Sequence, residues 1–262
     1  MAQRFVRAQA ASGEIFYGAL QADRQVELWE RAPWLGGKAT PRRLAESDYR
    51  LLAPCLPSKI IAVGRNYSAH AAELGNEVPA EPLLFLKPPS ALAAPGQVIA
   101  YPSQSQRVDY EGELALIIGA ETKHCSEEQA PSRIWGYAIA NDITARDLQR
   151  RDSQWTRAKG FDGFCPLGPW AVRQISLDAR LETWVNEEPA PRQSAQLNEM
   201  IFKPAVLVSY ISQIMTLWPG DVVLTGTPAG IGEWRPGDRV RVKIEGIGEL
   251  ENSLGDLALN CV

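Results

Sequence analysis

VDYEGELALIIG, residues 108–119, reads as a strand buried in a sheet, yet it holds two glutamates, Glu111 and Glu113. The two-residue alternation of a strand sends both side chains to one side, roughly 7 Å apart along the chain. Like charges repel there. Proteins keep buried carboxylates only where positive charge compensates them, and a divalent cation is a common way to hold several together. The pair alone is more often a solvated sheet face carrying two ordinary glutamates, so the rest of the chain has to decide.

The chain has 262 residues, with 27 Lys and Arg against 31 Asp and Glu for a net charge of −4. It shows no basic block and no interleaved basic and aromatic patch, which argues against nucleic acid and for a small polar substrate. Cys55, Cys125, Cys165 and Cys261 stand singly without a CxxC, a usage that suits reduced thiols in a cytoplasm rather than a disulfide frame or thiolate zinc site. Two histidines are too few for a poly-histidine zinc site. The first residues, MAQRFVRAQAASGEIFYGAL, contain no signal-like apolar core, and no apolar run approaches the ~18 residues of a membrane span. The expectation is a cytoplasmic protein without a membrane partner.

Residues 1–57 form the expected N-terminal unit: short strands RFVRAQ, EIFYGAL and QVELW, then a Pro- and Gly-rich linker with one short helix over 31–57. Residues 58–262 form the expected catalytic domain, opened by the buried strand KIIAVG (59–64) and continued by EGELALIIG and IWGYAIANDIT, with a helical turn at ARDLQRRD. KPAVLVSYISQIMTLW (203–218) predicts an amphipathic helix starting at Pro204, with Leu207, Tyr210, Ile211, Ile214 and Leu217 on its apolar face. DVVLTG and RVRVKIEGIGEL close the chain as further β structure. The sum is an α+β, β-rich fold with few short helices.

A third acid, Asp142, follows the apolar strand YAIAN, at a strand end where side chains reach a cleft. Three carboxylates without a Cys or His neighbour suit a hard cation, Mg²⁺ or Mn²⁺, which prefers six oxygens and so leaves positions for water and substrate. Three carboxylates and a divalent ion sum to a negative site, so an anionic substrate needs a further cation nearby; Lys159 is the candidate, although a lone lysine is more often on the surface. His70 and Glu73 stand at i and i+3, where a carboxylate can orient an imidazole as general base; on spacing alone such a pair is more often a satisfied or solvent-exposed histidine beside a surface glutamate. Gly75, Pro79 and Pro82 follow, which makes 66–82 a candidate movable lid. LTGTPAGIG (224–232) offers Thr227 and backbone amides to a substrate carboxylate, or is a plain glycine-rich hairpin. Arg146 and Gln149 are candidate pocket residues, or else an exposed helix start.

GRNYSAHAAE, EPLLFLKPPSAL, VDYEGELALIIG, NDITARDLQ, KGFDGFCPLGPW and LTGTPAGIG, in this order, resemble the fumarylacetoacetate hydrolase superfamily in its acylpyruvate hydrolase and oxaloacetate-acting branch, over about residues 58–255. The resemblance implies a mixed β-roll, a homodimer, and Mg²⁺ or Mn²⁺ on Glu111, Glu113 and Asp142. It also implies a water-activating dyad of His70 and Glu73, a substrate-facing Lys159, and Thr227, Arg146 and Gln149 around the substrate. Fumarylacetoacetate hydrolase itself has a further aspartate ligand where this chain has GRNY, and a longer N-terminal domain, so tyrosine catabolism is not the expected role. A 2-oxo acid binds such a cation through its carboxylate and 2-oxo oxygens, and the ion acts as Lewis acid toward an enolate. The same site then serves C–C hydrolysis of a 2,4-dioxo acid, decarboxylation of oxaloacetate, or keto–enol tautomerisation or dienoate isomerisation. The intact HxxE pair puts hydrolysis of an acylpyruvate first, with the oxaloacetate-directed reactions as the alternative. A non-catalytic cation-binding β module is the reading from another class, and it leaves the dyad and Lys159 without a purpose.

Overall fold

The structure, a computed structural model, describes residues 3–256, so Cys261 and the end of the expected second domain lie outside the described residues. It is a β-rich α+β fold of mixed sheets with few short helices. The strand Gly112–Ile118 lies in its middle, antiparallel to Ile134–Asn141 on one side and Val222–Leu224 on the other. Both its faces are covered. Leu114, Leu116 and Ile118 enter one apolar core, and Ala115 and Ile117 enter a second. Burial on both faces replaces the alternating pattern with a nearly continuous apolar run.

The single strand expected over 108–119 is in fact two. Val108–Tyr110 belongs to a small sheet with Thr144–Ala145 and Gly232–Glu233, whereas Gly112–Ile118 belongs to the large sheet. The chain changes sheets at Glu111, whose backbone N–H donates to the Asn141 side-chain oxygen at 2.9 Å and whose carbonyl accepts the Asp142 N–H at 2.8 Å. These two bonds satisfy a backbone that has left both ladders.

The large sheet runs in the order Ala39–Leu44, Val26–Trp29, Ile15–Leu20, Arg4–Ala10, Cys165–Val172, Ile134–Asn141, Gly112–Ile118, Val222–Leu224, Ile60–Gly64 and Leu83–Lys87. The N-terminal strands therefore extend the same sheet that carries the glutamates, joined through Arg4 opposite Val172 and Phe5 opposite Ala171. Phe5 plugs the joint, edge-on to Trp29 and Trp135. The linker expected over 31–57 contains two strands, Ala39–Leu44 against Val26–Trp29 and Tyr49–Leu52 against Arg4–Ala10. No residue of Ala39–Leu44 is buried, so it lacks the alternation that marks a strand, and as the sheet's edge it tolerates Pro41.

A five-stranded sheet, Gln193–Gln196, Arg180–Val185, Arg239–Ile244, Gly248–Gly255 and Val98–Ala100, closes the first core with Leu181, Val242, Ile244 and Leu250. The helix Pro204–Ile214 starts at Pro204 as its sequence predicts, but it buries Leu207, Val208 and Ile211 and leaves Ile214 57% exposed. The 3.6-residue repeat returns the core face at Val208 and Ile211, then passes Ile214 toward solvent. Leu217 lies past the helix end and bridges Thr122 instead. Among the described residues, no helix is long and apolar enough to cross a membrane.

Candidate active site

All nine residues singled out from the sequence line one cavity of about 390 Å³. Glu111 sits at the change of sheets, Glu113 on the second residue of the following strand, and Asp142 directly after Ile134–Asn141. Because Gly112 is opposite Asn141 in the ladder, the two chain segments deliver their acids to the same end of the sheet. One oxygen from each of Glu111, Glu113 and Asp142 lies within 4.8 Å of the others, and all three residues are buried.

The acids differ in how they are compensated. Lys159, at the end of the short helix Thr156–Lys159, donates to Glu111 Oε2 at 2.7 Å and Asp142 Oδ2 at 2.6 Å. Arg146, opening the helix Arg146–Arg151, bonds Glu111 Oε1 and also donates to Asp109 at 2.8 Å. Burial disfavours a charged Glu111, but Lys159 and Arg146 outweigh it and hold the carboxyl well below the usual range. Among the described residues Glu113 has no such partner. There it accepts the Gly226 N–H at 2.7 Å, and burial, then Asp142 and Glu111, push its carboxyl well above the ordinary value. Burial lowers the Lys159 ammonium, and Asp142 with Glu111 more than reverses that, so it stays charged.

This donor set fits a hard divalent cation. The oxygens converge without a sulfur or imidazole ligand, and Glu113 is short of positive charge in a place that water cannot screen. Each carboxylate oxygen offers more than one lone pair, so the bonds to Lys159 and Arg146 do not exhaust Glu111 and Asp142.

Facing the acids, the helix Ser68–Glu73 carries His70, buried, and Glu73 at its end, with Nδ1 of His70 3.2 Å from Glu73 Oε2. Glu73 Oε1 accepts the Gly230 N–H at 3.0 Å, which ties the dyad to the glycine-rich turn. Gly230 holds φ +98° and approaches Arg192 so closely that a Cβ would lie 1.8 Å from the Arg192 carbonyl oxygen. Thr227 reaches the cavity, but its hydroxyl donates to the Gly112 carbonyl at 2.8 Å and accepts from Gln193 Nε2 at 2.7 Å. Arg146 is 2% exposed and bonds Gln149 at 2.5 Å, so it is a buried strut between acids and not an exposed helix start.

Sequence reasoning passed over four residues of this site, three that hold the arrangement and one that lines the cavity. Lys87, buried at the end of Leu83–Lys87, donates to Asp142 Oδ1 at 2.6 Å; a lysine closing the apolar run LLFLK was the available signal. Gln193 accepts the Gly112 N–H at 3.0 Å and donates to Thr227 and the Pro228 carbonyl, and nothing in its surroundings in the sequence marks it. Asn66 clamps Phe202 and the Thr225 carbonyl with three bonds of 2.7–2.9 Å. Arg65 lines the cavity with a left-handed backbone, φ 58°, which no pattern in the chain announces.

The family described as Fumarylacetoacetate (FAA) hydrolase C-terminal matches residues 59–255, and one described as Rv2993c-like, N-terminal matches residues 3–54. The chain is similar to Protein Rv2993c of Mycobacterium tuberculosis, 48% identical over 217 residues, 81% of each protein. It is 44% identical over 199 residues to the mitochondrial oxaloacetate tautomerase FAHD1 of Arabidopsis thaliana, covering 74% of this chain and 89% of that one. Among solved structures it resembles 2-hydroxyhepta-2,4-diene-1,7-dioate isomerase from Mycobacterium marinum, with TM-score 0.89, 39% identity, and 98% and 100% of the two chains covered. It also resembles fumarylpyruvate hydrolase from Pseudomonas aeruginosa in complex with Mn²⁺ and pyruvate, with TM-score 0.72, 36% identity, and 79% and 91% covered.

Proposed function

Because the chain belongs to the fumarylacetoacetate hydrolase family, we propose that it is a Mg²⁺- or Mn²⁺-dependent enzyme that interconverts the keto and enol forms of a small 2-oxo dicarboxylic acid of the oxaloacetate class. The observation that carries this reading is the placement of one proton-handling dyad, His70 with Glu73, in the same cavity as a cation-holding triad. A divalent ion on Glu111, Glu113 and Asp142 would supply Lewis-acid polarisation of the 2-oxo group.

The rest falls to the chain's own side chains. With Nδ1–H of His70 directed at Glu73, Nε2 carries the free lone pair and can take the proton from C3 of the keto acid. The C–H electrons form the C2–C3 double bond, the carbonyl pair moves to the 2-oxygen, and the proton on Nε2 is returned to that oxygen. No outside reactant is consumed. Lys159, kept charged by its two carboxylates, favours negative charge developing nearby, and Glu73 steadies the imidazolium in between.

The weight moves from hydrolysis, first on sequence alone, to proton transfer because the tautomerase and isomerase relatives match more closely than the fumarylpyruvate hydrolase. Hydrolytic C–C cleavage is kept as a second reading, since an imidazole held by a carboxylate equally suits activation of water. The test follows the ultraviolet absorbance of enol-oxaloacetate, with pyruvate release from acetylpyruvate measured in parallel. Acceleration with Mg²⁺, its loss on chelation and a fall of about 10²–10⁴-fold in His70→Ala are the expected results. A metal-loaded protein that leaves the uncatalysed keto–enol rate unchanged sinks the tautomerase reading, and acetylpyruvate cleavage in the same sample would install the second one.

A further inference from the structure

We propose that Arg65 is the specificity-determining residue for the second carboxylate of the substrate, so that this cavity selects dicarboxylic over monocarboxylic 2-oxo acids. The inference rests on the reading above for where the 2-oxo acid end binds. It starts from the charges that line the cavity. Glu73, Glu111, Glu113 and Asp142 are balanced in number by Arg65, Arg146, Arg150 and Lys159. A divalent ion on the triad would therefore leave a surplus of two positive charges, the complement of a dianion.

The four cations are not equally available. Arg146 and Lys159 are buried and bonded to the acids. Among the described residues, Arg65 and Arg150 form no hydrogen bond or ion pair through their side chains, yet both reach the cavity. Arg150 is exposed, on the last turn of its helix. Arg65 is half-buried, and its backbone is built to hold it: φ is 58°, a region an arginine adopts only where its surroundings impose it. Asn66, the next residue, imposes it through its bonds to Phe202 and Thr225, and the Trp155 ring packs over Gly64 on the other side. A planar guanidinium presented this way, without a competing carboxylate, matches a substrate carboxylate through paired N–H donors.

The test is calorimetric binding to the Mg²⁺-loaded protein of pyruvate, which has only the 2-oxo acid end, and of oxaloacetate, 2-oxoglutarate and 2-oxoadipate, which add a second carboxylate at increasing distance. Wild type is expected to bind at least one diacid about 10–100-fold tighter than pyruvate, the span of one charge-assisted contact. Arg65→Asn, chosen because asparagine tolerates the left-handed backbone, is expected to erase that preference and leave pyruvate affinity and the thermal midpoint unchanged. Arg65→Lys should restore part of it, and Arg150→Gln should cost less than Arg65→Asn. Equal weakening of pyruvate and the diacids in Arg65→Asn, or a wild type indifferent to the second carboxylate, overturns the proposal while leaving the proposed activity standing. An Arg65-dependent preference in a protein without turnover supports the proposal and removes the activity, and failure to bind any of the acids removes both.

Discussion

Glu113→Gln should make the metal-free protein more stable and the metal-loaded protein less so. Glu113 is 1% exposed and its carboxyl is raised by burial first, then by Asp142 and Glu111. A carboxyl whose folded value is raised holds its proton more tightly folded than unfolded. Stability is then fully present below the ordinary value of 4.5 and falls as pH rises toward the folded value. The slope is about 1.4 kcal/mol per pH unit, so at pH 6 the wild type has lost up to about 2 kcal/mol. Glutamine does not ionise and keeps an oxygen for the Gly226 N–H, as the protonated carboxyl does, but its amide brings one more buried N–H donor, a cost of roughly 1 kcal/mol. A net gain of about 1 kcal/mol or slightly more corresponds to a rise of about 2–5 °C in Tm for a chain of this size. Saturating Mg²⁺ reverses the order: at a hundred times its Kd a ligand adds about 2.7 kcal/mol to the wild type, and the variant, short of one ligand, gains far less. Differential scanning calorimetry of both proteins, in chelator and in Mg²⁺, between pH 4.5 and 7, reads all of this. The gap in chelator should close toward pH 4.5. A variant less stable than wild type in chelator at pH 6, or equally stabilised by Mg²⁺, refutes the account of Glu113 as an uncompensated ligand.

Lys87→Met should destabilise the fold by about 3 kcal/mol, because Asp142 is left buried with Lys159 as its remaining cationic partner; urea unfolding within 0.5 kcal/mol of wild type would show the pair to be dispensable. Gly230→Ala should cost ~2 kcal/mol or more, since both the positive φ and the Arg192 carbonyl oppose a Cβ, and should lower kcat more than metal affinity because the Gly230 N–H orients Glu73. The opposite split, with metal binding lost and kcat kept, would detach the turn from the dyad. Amide exchange over residues 66–82 should slow when oxalate, which resembles the enolate of a 2-oxo acid, binds the Mg²⁺-loaded protein; unchanged exchange at demonstrated saturation rules out a lid.

Much of the site was legible because its chemistry is written in residue types that a core does not otherwise tolerate. Glu113 in an apolar run, Asp142 at a strand end and the HxxE pair stand out on polarity alone, and the ordered motifs joined them to Lys159, Thr227, Arg146 and Gln149. What escaped was set by geometry. The break at Glu111 depends on Asn141, thirty residues away in the chain, offering its side chain to the Glu111 N–H. The edge strand Ala39–Leu44 buries nothing and so leaves no pattern, and the left-handed turn at Arg65 is imposed by Asn66 reaching Phe202 and Thr225. Ile214 keeps the i+3 spacing from Ile211, but the buried positions Leu207, Val208 and Ile211 centre the core face so that Ile214 falls at its edge and meets solvent.

The joint between the N-terminal strands and the large sheet has a consequence for how such proteins can diversify. Two backbone positions, Arg4 opposite Val172 and Phe5 opposite Ala171, carry the ladder across, and side chains seal it: Phe5 and Trp34 edge-on to Trp135, Arg4 over the Trp170 ring, and Ala53 and Cys55 in the core behind them. The ladder itself asks little of the sequence on either side, whereas the seal asks for rings shaped to Trp135 and Trp170. The strand Cys165–Val172 can therefore act as a socket for N-terminal units that bring such rings, without any change to the end of the sheet where the acids converge. Exchange of whole units at this socket would alter what the outer face of the molecule presents while the cavity chemistry is inherited intact.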